Sequence, residues 1–133
     1  VRDAVEYLAA VKAAIIMADP IVHWTALREE AQGDAGMFRF RLMLQDGSML
    51  EVFEYFRLVR GAVIVGKYSY HWQDAAGRLR RRWDNAPHHR DVATQPHHVH
   101  DGDEANVLPH EPMTLAAVLA IVAAGTSSST ENR

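Results

Sequence analysis

Five of the eight histidines in this chain fall between Arg82 and His100, in the stretch RWDNAPHHRDVATQPHHVH. Histidine is the side chain that titrates nearest neutrality, so such a density points to proton transfer, metal ligation or anion contact. Pro87 and Pro96 stiffen the stretch by fixing φ and restricting the residue before each, which lets an irregular loop hold side chains in place. Three readings compete. In the first, one histidine is a general base, another a general acid, and arginines stabilise charge developing on a phosphate, with no metal required. In the second, His98 and His100, two apart on an extended segment, join another histidine or Asp101 as ligands for zinc or a similar ion. In the third the rings cap backbone groups or stand in water. His23 and His110 lie outside the cluster and are read as surface or turn residues.

The elements that must position this stretch follow from the rest of the chain. With 133 residues, 48% of them hydrophobic, the chain suits one core, expected over residues 1–125, with a polar disordered tail over 126–133. The net charge of -3 argues against coating nucleic acid by bulk positive charge. A local basic patch is nonetheless present, since eight Lys/Arg lie between Arg57 and Arg90 against only Asp74 and Asp84. Without cysteine there are no disulfides, thiolate zinc sites or cysteine nucleophiles. The apolar opening is interrupted by Arg2, Asp3, Glu6 and Lys12 and is read as a helix over residues 2–18, too short in its uncharged runs to span a bilayer.

After Asp19-Pro20 the hydrophobic period changes to two. IVHWTALREEA, GMFRFRLMLQ, SMLEVFEYF, AVIVGKYSYHWQ and GRLRRRWDN are separated by turn residues, so the spacing predicts a meander of about five antiparallel strands. The segment MTLAAVLAIVAAG predicts a second helix ended by Gly125 as a left-handed cap. The fold class is therefore α+β, an antiparallel β-meander flanked by an N-terminal and a C-terminal α-helix.

A two-residue turn at Asp46-Gly47 pairs Phe40 with Phe53, Phe38 with Tyr55, Arg39 with Glu54 and Arg41 with Val52. A second at Arg60-Gly61 sets Lys67 opposite Glu54, and a four-residue loop at Asp74 to Gly77 sets His71 beside Arg80, Ser69 beside Arg82 and Lys67 beside Asp84. The aromatic residues, Phe53 and Tyr55 included, then form a core face, where Trp72, Trp83 and the tyrosines are read as packing rather than base-stacking residues. Arg39, Arg41, Glu54, Lys67, Ser69, His71, Arg80 and Arg82 line the other face. Such a face is often only solvated, tiled by cross-strand ion pairs. This one carries more cations than solvation needs, and it is the set required to hold a phosphodiester and move its protons.

The series KYSYHWQDAAGRLRRRWDNAPHH, PHHVH, an acidic spacer, EPMTL and an alanine-rich helix, with DGSMLEVFEYF upstream, resembles the TumE-like toxins of bacterial and archaeal toxin–antitoxin loci, over roughly Ile21 to Leu119. The resemblance implies a small cytoplasmic toxin of the type II kind, restrained by a cognate antitoxin, and it brings no catalytic residues with it. The leading expectation is a metal-independent ribonuclease, mRNA interferase-like, using no cofactor. Its catalytic residues are expected among His71, Arg82, Lys67, Glu54, His88, His89, His97 and His98, with Arg39, Arg41, Arg80, Ser69 and His100 contacting RNA. The expected partners are the antitoxin and the RNA, with no membrane, and a homodimer within the toxin–antitoxin complex is one arrangement open to it. The alternatives are a non-catalytic module binding nucleic acid or a translation factor, and a histidine-ligated metal-dependent enzyme.

Overall fold

In the computed structural model, residues 1–131 are described apart from His88 and Arg90, with residues 127–131 described by their backbone alone. Helix α1 (Ala4–Met17) begins where the Asp3 carboxylate accepts the Glu6 N–H at 2.9 Å, and it buries Ala4, Leu8, Val11 and Ile15 along one stripe. Strands β1 (Ile21–Gln32), β2 (Ala35–Leu44), β3 (Met49–Val59), β4 (Ala62–Gln73) and β5 (Leu79–Asp84) follow, as the alternation predicts. Two more come from the segment read as loop: β6 (His98–Asp101) and β7 (Val107–Pro109). All seven pair antiparallel in chain order. Helix α2 (Leu115–Glu131) closes the chain. Both helices pack on one face of the sheet, in a single core with Phe38, Phe40, Tyr70, Trp72 and Trp83.

Helix α2 does not end at Gly125 but runs on to Glu131, through residues expected as a tail. The glycine serves a close approach instead, because a Cβ there would lie 2.8 Å from the Trp72 ring.

Two turns change the expected registers. At Asp46-Gly47 the Gly47 N–H donates to Leu44 O and the Leu44 N–H to Ser48 O, both at 3.0 Å, and Gly47 has φ 83°. This is a three-residue loop, a type I turn followed by a left-handed glycine. It moves the β2–β3 pairing by one residue from the two-residue expectation, so Phe40 faces Val52 and Arg41 faces Glu51. A one-residue change exchanges the faces of β3. Phe53 and Tyr55 thus stand on the outer face, Tyr55 55% exposed, and Glu54 points into the core.

The Arg60-Gly61 turn has two residues as expected, both with positive φ, and pairs Val59 with Ala62. A bulge at Gly66 then brings Lys67 opposite Tyr55 rather than Glu54. After Asp74 a second three-residue loop and a bulge between Leu79 and Arg81 displace β5 by two, which preserves its faces. His71 therefore pairs with Arg82, and Ser69 with Asp84.

Candidate functional site

These registers lay two parallel rows across the outer face. One runs Arg41, Glu51, His71, Arg82, His100 from β2 to β6, and the next runs Arg39, Phe53, Ser69, Asp84, His98. Neighbours directly opposite on antiparallel strands have Cα atoms about 4.5–5.5 Å apart, so adjacent side chains in each row are within reach of each other. At the β2–β4 end the face opens as a groove of about 820 Å³ whose floor includes Arg39, Arg41, Ser69, His71 and Arg82.

The two ends of the rows differ in charge. At the β2–β4 end two guanidinium groups share one carboxylate, Arg39 at 2.8 Å and Arg41 at 3.0 Å from Glu51. Partial burial pushes the Glu51 carboxyl up, but the hydrogen bonds from Arg41 and Arg39 outweigh it and hold it below the usual carboxylate range. This end keeps a net positive charge. His71 Nε2 lies 3.0 Å from Gln73 Oε1 on the same floor.

At the β5–β6 end the ratio is reversed, with one guanidinium serving two carboxylates. Arg82 Nε donates to Asp84 Oδ2 at 3.2 Å, and its two terminal nitrogens donate to the two oxygens of Glu104. Those bonds from Arg82 hold the Glu104 carboxyl below its ordinary range. Beside Asp84, His98 and His100 are buried, at 2% and 4% exposure, with their Nε2 atoms 2.8 Å and 3.4 Å from its two oxygens. The segment between β5 and β6 adds His89, whose ring stands edge-on to both at 4.7 Å and 5.3 Å between centroids.

Most of the expected site residues meet here. Arg39, Arg41, Ser69, His71 and Arg82 line the groove, exposed Lys67 borders the same face beside Ser69 and Asp84, and His89, His98 and His100 form the cluster at the far end. Three do not. Glu54, displaced by the one-residue register change, accepts hydrogen bonds in the core from Tyr7 (2.6 Å) and Tyr70 (2.7 Å). Burial raises its pKa above the ordinary value, against those two hydrogen bonds, which lower it. Arg80 occupies the bulge in β5 and lies over the Trp72 ring, 3.1 Å from Asp46 Oδ2. His97 stacks on Tyr68 on the core side, its Nδ1 2.8 Å from the phenol oxygen. His88 lies outside the described residues. Asp101, weighed as a metal ligand, pairs instead with Arg81 at 3.7 Å, since it alternates to the face opposite His100.

Three acids were missed. Glu51 shares a face with Phe53, and the two-residue turn expected at Asp46-Gly47 puts both on the core side. Asp84 follows Arg82 by two along β5, a spacing that already places it on the ionic face. Glu104 reaches Arg82 across 22 residues, and no local pattern signals that.

Residues 12–126 match the family model described as Toxin TumE, which covers most of the chain, and the chain belongs to that family. It is a toxin of a toxin–antitoxin pair, with an antitoxin for its partner. No curated protein and no solved structure matches it. Among the described residues no helix is long and apolar enough to cross a membrane.

Proposed function

We propose, with membership of this family as the premise, that the chain is the toxin of a type II pair and cleaves RNA in the cytoplasm through the groove on its outer face. The observation that carries the reading is the shared carboxylate: two arginines on one glutamate leave a fixed, net positive floor beside a histidine and a serine. A phosphodiester is the group such a floor suits, because guanidinium groups recognise it in fixed geometry and stabilise the charge that grows on it during displacement. With its Nε2–H donated to Gln73 Oε1, His71 keeps a lone pair on Nδ1 and can take the proton of a ribose 2′-hydroxyl. The freed oxygen attacks the adjacent phosphorus, and the bond to the 5′ oxygen breaks. The leaving oxygen takes its proton from water, which the open groove admits. Ser69 stands on the second row, and Lys67, two residues before it on β4, adds a cation beyond that row.

Expression of the chain alone should arrest bacterial growth, and coexpression of its antitoxin should relieve the arrest. A double Arg39→Ala, Arg41→Ala variant should accumulate as folded protein and permit growth. Undiminished toxicity of that variant would move the active surface elsewhere. A purified chain that binds RNA and leaves it intact would replace cleavage by the non-catalytic binding module.

A further inference from the structure

The β5–β6 end of the face contains four electron-pair donors aimed at one another. His98 Nδ1 lies 2.9 Å from Pro96 O and His100 Nδ1 lies 2.8 Å from Glu104 O. A carbonyl oxygen only accepts, so each Nδ1 carries the hydrogen, and in the neutral rings each Nε2 is left with a lone pair. Those two Nε2 atoms stand 3.1 Å apart and share the Asp84 carboxylate, at 2.8 Å and 3.4 Å. Nothing among the four neutral-ring and carboxylate donor atoms supplies a hydrogen to the others. A buried set of this kind needs a cation between its members.

The spacings fit a metal ion. Donors of a tetrahedral zinc ion, with bonds of about 2.0–2.1 Å, stand about 3.3 Å from one another. The 3.1 Å between the two Nε2 atoms is close to that edge, and each ring faces one Asp84 oxygen at a similar spacing, His98 facing Oδ1 at 2.8 Å and His100 facing Oδ2 at 3.4 Å. A ring nitrogen of His89 lies within 4.8 Å of those of His98 and His100, which makes it the next donor. The surroundings match as well. Ligating imidazoles donate their other N–H to backbone carbonyls, which fixes the tautomer, and ligating carboxylates are themselves hydrogen-bonded, as Asp84 is by Arg82. The two carboxylates on the single guanidinium of Arg82 leave this end with the negative charge a cation offsets.

We propose that His89, His98 and His100, together with Asp84, bind one divalent first-row transition metal, and the three-imidazole, one-carboxylate set favours zinc. The ion would tie β5, β6 and the segment between them together, one residue along the row from Arg82 and so next to the groove. It takes up the metal-ligand reading of the cluster, with His89 as the other histidine and Asp84, not Asp101, as the carboxylate. The inference stands whether or not RNA is the substrate.

The test uses untagged full-length chain, stripped with chelator and titrated with zinc chloride and, separately, cobalt chloride. One equivalent of either should bind, the melting temperature should rise, and cobalt should show the visible absorption of a low-symmetry four-coordinate ion. His89→Gln leaves β6 intact and should weaken binding by at least about tenfold to a hundredfold, since even outer-shell changes cost that much. His23→Gln, remote from the cluster, should change nothing. A folded wild-type chain that takes up neither ion overturns the proposal and leaves a proton shared between His98 and Asp84 as the cation, and a His89→Gln variant that binds as tightly as wild type overturns the assignment of these ligands.

Discussion

The two ends of the outer face use the same kinds of residue in opposite proportion. At the β2–β4 end one carboxylate serves two guanidinium groups, and at the β5–β6 end one guanidinium serves two carboxylates beside three imidazoles. The first end is open to solvent over a groove of about 820 Å³, with Arg39 and Arg41 partly exposed, and it suits an anion arriving from outside. The second is buried, with His98 at 2% and Asp84 at 7% exposure, and it suits a cation held as part of the fold. The lesson is that a basic stretch of sequence does not make a basic surface. The ratio of partners in each cross-strand row decides which charge is left over.

The comparison can be broken most severely at the buried end. His98→Ala should cost about 3–5 kcal/mol in urea denaturation, because it leaves the Asp84 carboxylate buried without its nearest partner. A loss under 1 kcal/mol would show that this end is not part of the fold's support. At the open end the effects should separate in the other direction. Arg41→Ala should lower RNA cleavage about a hundredfold, the order seen when one preorganised charge-stabilising group is removed. Its denaturation midpoint should stay within about 0.5 kcal/mol of wild type, as expected for an exposed position.

Changes on the opposite face should leave the difference between the ends intact. Gly125→Ala places a Cβ 2.8 Å from the Trp72 ring and should cost about 1–3 kcal/mol through overpacking, with cleavage by the folded fraction unchanged. Glu54→Gln should have the smallest effect and a distinctive pH dependence. Burial raises the Glu54 pKa, so the folded chain holds that proton more tightly than the unfolded one. Its contribution to stability is then fully present below the ordinary carboxylate range and is lost as pH rises through the raised value. The glutamine keeps the shape without the charge. The variant should therefore exceed wild type by on the order of 1 kcal/mol at neutral pH and lose that advantage in acid.

Much of this arrangement was legible in the sequence. Alternation puts Arg39 with Arg41, Ser69 with His71, and Arg82 each on the polar side of its own strand, because parity within a strand survives any error in pairing. Arg60-Gly61 was readable as a tight turn for the same local reason. What alternation cannot supply is the relation between strands. The left-handed Gly47 adds one residue to a loop that an Asp-Gly pair also closes in two, and that single residue sends Glu54 into the core and brings Glu51 out. Strand β6 was hidden because His-Val-His-Asp lacks the apolar face of a buried strand. Its polar residues are buried against Asp84, a partner visible only after β5 and β6 are paired. His89 and Glu104 come from connecting segments on either side of β6, where no period reports position.

The most direct test of the central claim is the chemistry of the RNA ends. Purified, metal-loaded chain incubated with RNA should yield fragments ending in 2′,3′-cyclic phosphate, the product of attack by the neighbouring 2′-oxygen, and His71→Ala should abolish them while remaining folded. Intact RNA after prolonged incubation with wild type, or the same fragments from His71→Ala at an undiminished rate, would contradict the account.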